Sequence, residues 1–435
     1  MNKKFYFFII FLFITNCSLD TKSGIWSQSK DIVSENKNKK EKLFKKAEIY
    51  EEEFNTDLKI RLKGDLEKKN SNKNLLNNTG IVKFNGQLKK ISKYKFSKID
   101  KFYQYQPELL ITKENTLIFF NDKGTVLNFA KNNKLIWKNN LYSKFEKKQK
   151  PILYFASNGK ILIVTDNLAR YYAINVDTGK TIWSKSNIAP FNSQVKIFKD
   201  KFFAIDFENV LRCFSIKDGN EIWNFKTEKS FIKSQQKLSF IINNNKIVFI
   251  NTLGDLTSVD IETGNLVWQT PTQSSTIIEN YFSLKNSDLI SANNLIFFSN
   301  NQNEFFAVDE NNGGINWIQN LNSNLRPTFV DGLVFTVTLE GYLVAIDSRN
   351  GNIVRMTNVL SIINNYKKKN IKPEGFIISN DKIFLSLNNG RLVVIETLTG
   401  KPTDVVKIDS QKISRPYILN NEMFIVRDNA IIKLN

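Results

Sequence analysis

The chain has no histidine and only two cysteines, Cys17 and Cys213, among its 435 residues. These absences exclude catalytic sites that need an imidazole or a Cys–His pair, and zinc sites built from cysteine and histidine. An enzyme that works with carboxylates alone stays open. Cys213 lies in the apolar run VLRCFSI, which predicts a buried cysteine that acts as a small hydrophobe. Length alone would favour two or three domains.

Arginine is also scarce, although the chain is strongly basic. Lys and Arg number 62 against 42 Asp and Glu, a net charge of +20, yet only nine of the 62 are arginines. Recognition of base edges and bidentate binding of phosphate favour the planar arginine fork. We therefore interpret the excess as a lysine-rich, solvated surface and expect no nucleic-acid partner.

The N-terminus has no apolar run long enough to span a bilayer. Lys3 and Lys4 precede an apolar segment over residues 5–14. About 20 apolar residues are needed to cross a membrane, whereas a shorter run behind positive charges is typical of a signal peptide. The sequence therefore predicts a signal peptide over residues 1–16.

The residues that end this segment, Ile14-Thr15-Asn16-Cys17, resemble the lipobox of bacterial lipoproteins, with Asn16 in place of the usual small residue. The resemblance implies that Cys17 is lipidated and becomes the first residue of the mature chain. A plain secreted protein with an unmodified cysteine is the alternative. Ser18 follows the cysteine, where an aspartate would signal retention in the inner membrane. The resemblance therefore implies an outer-membrane location.

Residues 17–78 are rich in charged and amide side chains and contain little to bury, which predicts a tether. Within it Leu43, Ala47, Tyr50 and Phe54 fall at helical spacing. This spacing predicts one amphipathic helix, and docking on the protein's own surface is favoured over insertion into a membrane.

The rest of the chain is a repeat in which a turn is followed by tryptophan. The five intact copies are NNKLIW, DTGKTIW, KDGNEIW, ETGNLVW and NNGGINW, and the two worn copies are RNGNIVR and TLTGKPTD. Asp or Asn begins the turn, and Gly, or Asn133 in the first copy, takes the positive-φ position. The repeat predicts β-hairpins whose tryptophans pack between neighbouring units.

Prolines mark the starts of the same units independently. Six of the eight precede an apolar run, where the first residue of a strand tolerates a missing N–H; they are Pro107, Pro151, Pro190, Pro327, Pro373 and Pro416. Two further starts without proline lie at residues 238–250 and 289–299. The last unit has too few residues for four strands, and residues 89–99 supply the missing strand. The sequence thus predicts an all-β, eight-bladed β-propeller over residues 79–435, with four-stranded antiparallel blades and a ring closed by an N-terminal strand.

The unit A-x-D-x-x-T-G-x-x-x-W resembles the PQQ-type repeat. Eight such units behind a lipobox resemble the BamB family of outer-membrane lipoproteins of the β-barrel assembly machinery, over about residues 100–435 and the lipobox. The resemblance implies a non-enzymatic scaffold that is lipid-anchored and faces the periplasm. Such a scaffold binds the core assembly protein, aids folding and insertion of outer-membrane proteins, and has unfolded outer-membrane chains as a second class of partner. No catalytic residue, metal or cofactor is implied.

Two other functions stay open on the same fold. One is a cell-envelope adaptor or ligand-sensing propeller. The other is a dehydrogenase that uses pyrroloquinoline quinone and calcium. Those enzymes are longer and carry an adjacent cysteine pair and dedicated carboxylates, whereas Cys213 has no cysteine next to it.

The resemblance also points to two loops that would contact the assembly protein. The segment NFKTEKSFIKSQQ, after Trp223, corresponds to a loop that presents apolar residues and an arginine, and Gln236 stands near the position of that arginine. The segment ENYFSLKNSD, after Trp268, corresponds to a loop with acidic contacts. The implied partner-binding residues are Phe231, Ile232, Lys233, Gln236, Glu279 and Asp288.

Overall fold

Eight antiparallel sheets of four strands each make up the computed structural model, which describes residues 52–63, 81–105, 107–112, 114–227, 236–243, 245–272, 284–363 and 370–435. Each sheet is one blade of an eight-bladed β-propeller, and this confirms the predicted fold class. The signal segment, Cys17 and residues 228–235 and 273–283 lie outside the described residues.

Each blade, numbered 1 to 8 along the chain, has an innermost, a second, a third and an outer strand. The innermost strands are β2 (Leu110–Ile111), β6 (Leu153–Ser157), β10 (Lys196–Phe198), β14 (Phe240–Asn243), β18 (Ile290–Ala292), β22 (Thr328–Val330), β26 (Pro373–Ile378) and β30 (Tyr417–Leu419). The second strands are β3 (Leu117–Phe120), β7 (Ile161–Asp166), β11 (Lys201–Ile205), β15 (Lys246–Ile250), β19 (Leu295–Ser299), β23 (Leu333–Val337), β27 (Lys382–Leu387) and β31 (Glu422–Arg427). The third strands are β4 (Val126–Phe129), β8 (Arg170–Asn175), β12 (Val210–Ser215), β16 (Leu256–Asp260), β20 (Phe305–Asp309), β24 (Tyr342–Asp347), β28 (Arg391–Glu396) and β32 (Ala430–Leu434). The outer strands are β5 (Leu135–Asn139), β9 (Thr181–Ser186), β13 (Glu221–Lys226), β17 (Leu266–Thr270), β21 (Ile315–Gln319), β25 (Ile353–Asn358), β29 (Pro402–Lys407) and, for blade 8, β1 (Lys90–Lys95).

Two short helices, α1 (Phe102–Tyr105) and α2 (Lys144–Lys148), are described between strands. Helix α2 begins with a capping box. The Ser143 side chain accepts from the Glu146 N–H, and the Glu146 carboxylate accepts from the Ser143 N–H, so two N–H groups at the helix start are satisfied.

The ring is closed by the N-terminal strand, as predicted. Strand β1 pairs antiparallel with β32, the last strand of the chain, and Tyr94 lies opposite Ile431. The Tyr94 hydroxyl donates to the carbonyl oxygen of Lys131 in blade 1 at 2.9 Å, and its ring meets Phe129 edge-on. Pairing the first strand with the last removes the exposed edges that an open sheet would leave.

The tryptophan of one blade lies against the turn of the next. In blade 2, Gly179 has φ 70°, and a Cβ built there would lie 2.5 Å from the Trp137 ring of blade 1. Only glycine fits this contact. Four tryptophan Nε1 atoms donate to the carbonyl three residues before the turn glycine of the next blade; the pairs are Trp137–Val176, Trp183–Ile216, Trp268–Glu310 and Trp317–Ser348. The predicted packing of tryptophan between blades is confirmed.

An arginine takes the tryptophan's place in blade 6. The Arg355 side chain is buried, and its Nη2 donates to the Thr397 carbonyl at 3.1 Å. Thr397 stands three residues before Gly400, as the other acceptors stand before their glycines, and a Cβ at Gly400 would lie 2.7 Å from the guanidinium. Burial lowers the pKa of Arg355 to about 10. The worn copy therefore keeps the contact between blades but changes the donor.

Cys213 lies on β12, opposite Trp223, and its thiol is free and buried. Burial raises the pKa of this thiol to about 12. The side chain is thus an inert, small apolar group, as predicted.

The two faces of the ring are set by the direction of the strands. Three pairs of innermost strands in neighbouring blades contact each other, namely β6 with β10, β14 with β18 and β18 with β22. The innermost strands surround what we call the central channel. Because each blade alternates strand direction, connections between blades and between second and third strands emerge at the face where the innermost strands begin. We call this the entry face. The glycine turns emerge at the opposite face, which we call the turn face.

Residues 52–63 and 81–85 pack on the ring although 52–63 fall in the predicted tether. Phe54 forms a bridge with Met356 of β25, and Ile81 forms a parallel bridge with Ile378 of β26. Phe84 is buried against Phe384 between blades 7 and 8. Of the predicted amphipathic helix only Phe54 lies among the described residues.

Candidate partner-binding face

The two loops singled out in the sequence connect blade 3 to blade 4 and blade 4 to blade 5, so both belong to the entry face. Phe231, Ile232, Lys233 and Glu279 lie outside the described residues, and their partner-binding role stays a prediction. Gln236 and Asp288 are described, and each lies just before an innermost strand.

Gln236 joins the bases of the two loops. Its side-chain amide donates from Nε2 to the carbonyl of Asn286, and its Oε1 accepts the Asn286 N–H at 3.1 Å. A further bond runs from the Leu289 N–H to Ser239 Oγ at 3.0 Å. A small cleft lies between these residues, lined also by Leu238, Asn251, Thr252 and Leu284. The ends of the two loops are therefore held side by side.

Asp288 pairs with a residue of the ring and is also partly exposed. Its carboxylate lies 3.8 Å from Nη1 of Arg326 in the connection that precedes blade 6, and its side chain is 18% exposed. The Nε atom of Arg326 is buried with no protein partner among the described residues. Asp288 is thus partly engaged within the ring, and only the remaining accessible part of its carboxylate can meet a partner.

Charged side chains from several blades converge where the innermost strands begin. Lys237 of blade 4 donates from Nζ to Oε1 of Glu108 in blade 1 at 2.6 Å. Blades 1 and 4 are not neighbours, so this ion pair crosses the channel. Lys196 of blade 3 is buried and lies over the Phe240 ring at 5.6 Å. We call Glu108, Lys196, Lys237, Asp288 and Arg326 the channel cluster.

The members of the channel cluster shift each other's protonation. Burial would raise the pKa of Glu108, but the positive charges of Lys237 and Arg326 prevail and lower it to about 2. Burial would lower the pKa of Lys237, but Asp288 and Glu108 raise it to about 12. At Lys196 burial dominates and lowers the pKa to about 7, against the opposing effect of Glu108 and Asp288. The charges of the cluster are therefore paired mainly with one another.

A second buried carboxylate lies on the entry face in blade 2. Asp166 Oδ1 accepts the N–H groups of Leu168 and Arg170, both at 2.8 Å, and Oδ2 accepts the Tyr142 hydroxyl. Burial raises the pKa of Asp166 to about 6. Asn251 of blade 4 accepts the equivalent pair of N–H groups. The carboxyl therefore caps a loop, and its surroundings do not present it to a substrate.

The sequence interpretation missed the channel cluster. Its members stand two or three residues before their innermost strands or, for Lys196, at the first residue of β10. Aligning the repeat units at the strand starts would have revealed charged residues at similar positions. Their convergence depends on closure of the ring, which brings together residues more than a hundred positions apart.

The described residues contain no group of three or more histidine, cysteine, aspartate or glutamate side chains placed to hold a metal ion. Over the same ranges, no helix has both the length and the apolar character that crossing a membrane requires.

Comparison with known proteins gives a family and a fold. Residues 122–357, more than half of the chain, match the family model described as outer membrane protein assembly factor BamB. An uncharacterised protein of Rickettsia conorii is 23% identical over 232 residues, and the alignment covers 49% of this chain and 50% of the relative. The chain thus spans about half the length of this curated relative.

Solved structures share the propeller at low identity. The crystal structure of BamB from Moraxella catarrhalis superposes with a TM-score of 0.65 at 12% identity, over 80% of this chain and 99% of that one. The computationally designed protein Ika8 superposes with a TM-score of 0.60 at 12% identity, over 82% and 99% of the two chains. At this identity the likeness shows the fold, and the family model supplies the assignment: the chain belongs to the BamB family of outer membrane protein assembly factors.

Proposed function

We propose that the chain is a non-enzymatic scaffold of the machinery that assembles β-barrel proteins in the outer membrane. The observation that carries the proposal is the match of residues 122–357 to the assembly-factor family, on a chain that forms a complete propeller. In this function the ring binds the core assembly protein and aids the folding and insertion of outer-membrane proteins, and unfolded outer-membrane chains are a second class of partner.

The entry face is the proposed contact surface for the core assembly protein. Phe231 and Ile232 supply apolar contacts, Lys233 and Gln236 supply polar ones, and the second loop contributes Glu279 and Asp288. The Gln236–Asn286 bonds support this assignment because they hold the bases of both loops together. A rigid base lowers the ordering cost when loops bind a partner.

The proposed anchor is a lipid on Cys17, which holds the protein in the outer membrane with the ring in the periplasm. Labelling with a radioactive fatty acid tests this step. We expect label on the native protein and none on Cys17→Ser, which should move into the soluble periplasmic fraction. If the native protein carries no label, the result would favour the alternative, a plain secreted protein with an unmodified cysteine.

The experiment that tests the function is affinity purification of the native protein from a detergent extract, followed by mass spectrometry of the proteins that accompany it. Recovery of the core assembly protein supports the scaffold. Recovery of other envelope proteins without it would favour the adaptor or sensor. Bound quinone together with calcium-dependent dye reduction would favour the dehydrogenase and overturn the proposal.

A further inference from the structure

The outer strands of blades 1 to 4 expose an apolar residue at one repeated position. It is the third residue after the residue that takes the positive-φ position in the turn: Ile136, Ile182, Ile222 and Val267. These side chains are between 43% and 49% exposed, although the tryptophan that follows each of them packs against the next blade. Among the described residues no other strand or bridge pairs with β5, β9, β13 or β17 from outside. Each of these blades therefore combines a strand edge with an apolar surface.

Blade 6 shows how such an edge is occupied, because the chain's own N-terminal segment lies on it. The Phe54 N–H donates to the Met356 carbonyl, and the Met356 N–H donates to the Phe54 carbonyl, both at 2.9 Å. The Asn55 side chain donates to the Val354 carbonyl at 3.1 Å, and the Asn358 N–H donates to the Glu53 carboxylate at 3.0 Å. Backbone N–H and carbonyl groups that β25 directs away from its own blade are thus hydrogen-bonded to an extended segment.

The same segment covers the apolar position of this blade. Val354 is the counterpart of Ile182, since each stands three residues after its turn glycine. Val354 is half-buried and packs with Leu58 and Leu62 against the blade 6 core, whereas Ile182 is 49% exposed. The difference between the two blades corresponds to the presence of residues 53–62 on one of them.

We propose that the outer edges of blades 1 to 4 bind extended polypeptide segments by strand addition, in the way that residues 53–62 bind blade 6. Backbone bonds give affinity without a fixed sequence, and the exposed apolar residue selects segments with an apolar side chain at the matching position. This inference rests on the proposed function, because unfolded outer-membrane chains have such alternating segments. It assigns those chains to the rim of the ring, separate from the entry face.

The charged residues near the exposed apolar positions indicate which peptide sequences can bind. Exposed lysines, Lys138 on β5 and Lys226 on β13, flank the apolar positions of these strands. The segment on blade 6 has Glu53 next to Phe54. A segment with alternating apolar residues and an acidic flank therefore complements the edge, whereas a lysine-rich segment is repelled.

The position of residues 53–55 on β25 identifies the backbone groups to monitor. Met356 and Asn358 donate outward from β25, and their counterparts are Ser184 and Ser186 on β9 and Asn224 and Lys226 on β13. The probe is a synthetic peptide of about ten residues with alternating valine and threonine and an aspartate at each end. Amide hydrogen exchange of the full-length protein is measured with and without this peptide.

We expect exchange at these four amides to slow by about tenfold at a peptide concentration ten times Kd, because only the free fraction exchanges. The Met356 amide, already bonded to Phe54, should not change. A peptide methylated at alternate backbone nitrogens should give no protection, since it cannot complete the ladder. No protection with the first peptide, or equal protection with the methylated one, would overturn the proposal.

Side-chain variants complete the test. The double variant Ile182→Lys and Ile222→Lys should weaken peptide binding at the β9 and β13 edges about tenfold, measured as lost protection of the four amides there, because lysine on a strand edge opposes pairing. Ile188→Lys is the matched control, since Ile188 is 90% exposed and follows β9. Unchanged peptide binding in the double variant would contradict the edge assignment. Co-purification of the core assembly protein with this variant is expected to persist, so failure at the rim and failure of the proposed function give different results.

Discussion

At the residue scale, Arg355 shows that a contact between neighbouring blades can be kept by a charged hydrogen-bond donor in place of an aromatic ring. Its guanidinium donates to the carbonyls of Thr397, Leu398 and Leu58. Two of these acceptors lie in blade 7 and the third lies in the N-terminal segment. The arginine thus joins three parts of the chain, whereas tryptophan at the equivalent site of other blades joins two.

Substitutions at Arg355 should distinguish its contact with blade 7 from its contact with the N-terminal segment. Arg355→Leu leaves buried carbonyls without a donor and should lower the free energy of unfolding by about 3 kcal/mol. Arg355→Trp restores a donor toward Thr397 but none toward Leu58, and should cost about 1 kcal/mol. Both variants should be cut by trypsin at Arg61 faster than the native protein. Urea unfolding and limited proteolysis provide the measurements, and equal stability of the two variants would contradict this account.

Glu108 should make stability depend on pH in the acid range. Its pKa is lowered to about 2 by Lys237 and Arg326, so its contribution is present above pH 4.5 and is lost as the pH falls toward 2. Glu108→Gln should lower the free energy of unfolding by about 3 kcal/mol at pH 7, and the difference should disappear near pH 2. Urea unfolding across this range is the measurement. A constant difference at all pH values would be inconsistent with the ion pair.

Asp166 should make stability depend on pH in the direction opposite to that of Glu108. Burial raises its pKa to about 6, so the folded state binds the proton more tightly than the unfolded state, and stability falls as the pH rises from 3.8 to 6. Asp166→Asn keeps the acceptor that Asn251 provides in blade 4 and removes the charge. We expect it to raise the free energy of unfolding at pH 8 by about 1 to 3 kcal/mol. A loss of stability at pH 8 would show that the charged form is needed.

At the scale of elements, the repeat explains how much of the fold was predictable. Glycine permits the positive φ that the turns need, and proline fixes φ and lacks an N–H, so the turns and the start of β26 at Pro373 can be read directly. The need for a fourth strand in blade 8 identified β1. By contrast, residues 53–55 bind through backbone atoms and through single side chains that no repeat marks. The members of the channel cluster share a position near the strand starts, but their pairing depends on contacts between distant blades, which no local pattern predicts.

Strand β1 should decide whether the ring closes. A chain that begins at residue 100 lacks β1, so the edge of β32 is left unpaired. We expect this chain to aggregate or to unfold at a clearly lower urea concentration than a chain that begins at residue 81. Tyr94→Phe, which loses only the bond to the Lys131 carbonyl, should cost about 1 kcal/mol. Equal behaviour of the two truncated chains would argue against closure by β1.

At the scale of the whole molecule, the proposals assign different partners to different surfaces of the ring. The proposed loops for the core assembly protein lie on the entry face, the N-terminal segment binds the edge of blade 6, and the outer edges of blades 1 to 4 face outward. The channel cluster joins blades 1 and 4 by an ion pair. A rigid ring of this kind suits a scaffold, because one partner can be held while another binds at a distance.

The most direct measurement of the central claim is quantitative co-purification of the core assembly protein with entry-face variants. Phe231→Ala combined with Asp288→Ala should reduce the recovered partner about tenfold, which corresponds to a loss of about 1.4 kcal/mol of binding free energy over the two side chains together. Phe145→Ala, at an exposed phenylalanine in the connection between blades 1 and 2 on the entry face, and Asp177→Ala on the turn face are the matched controls and should have no effect. Arg326→Gln breaks the internal pair of Asp288 and should leave recovery unchanged. Native recovery with the double variant, or an equal loss with Arg326→Gln, would contradict the assignment of these loops to the partner.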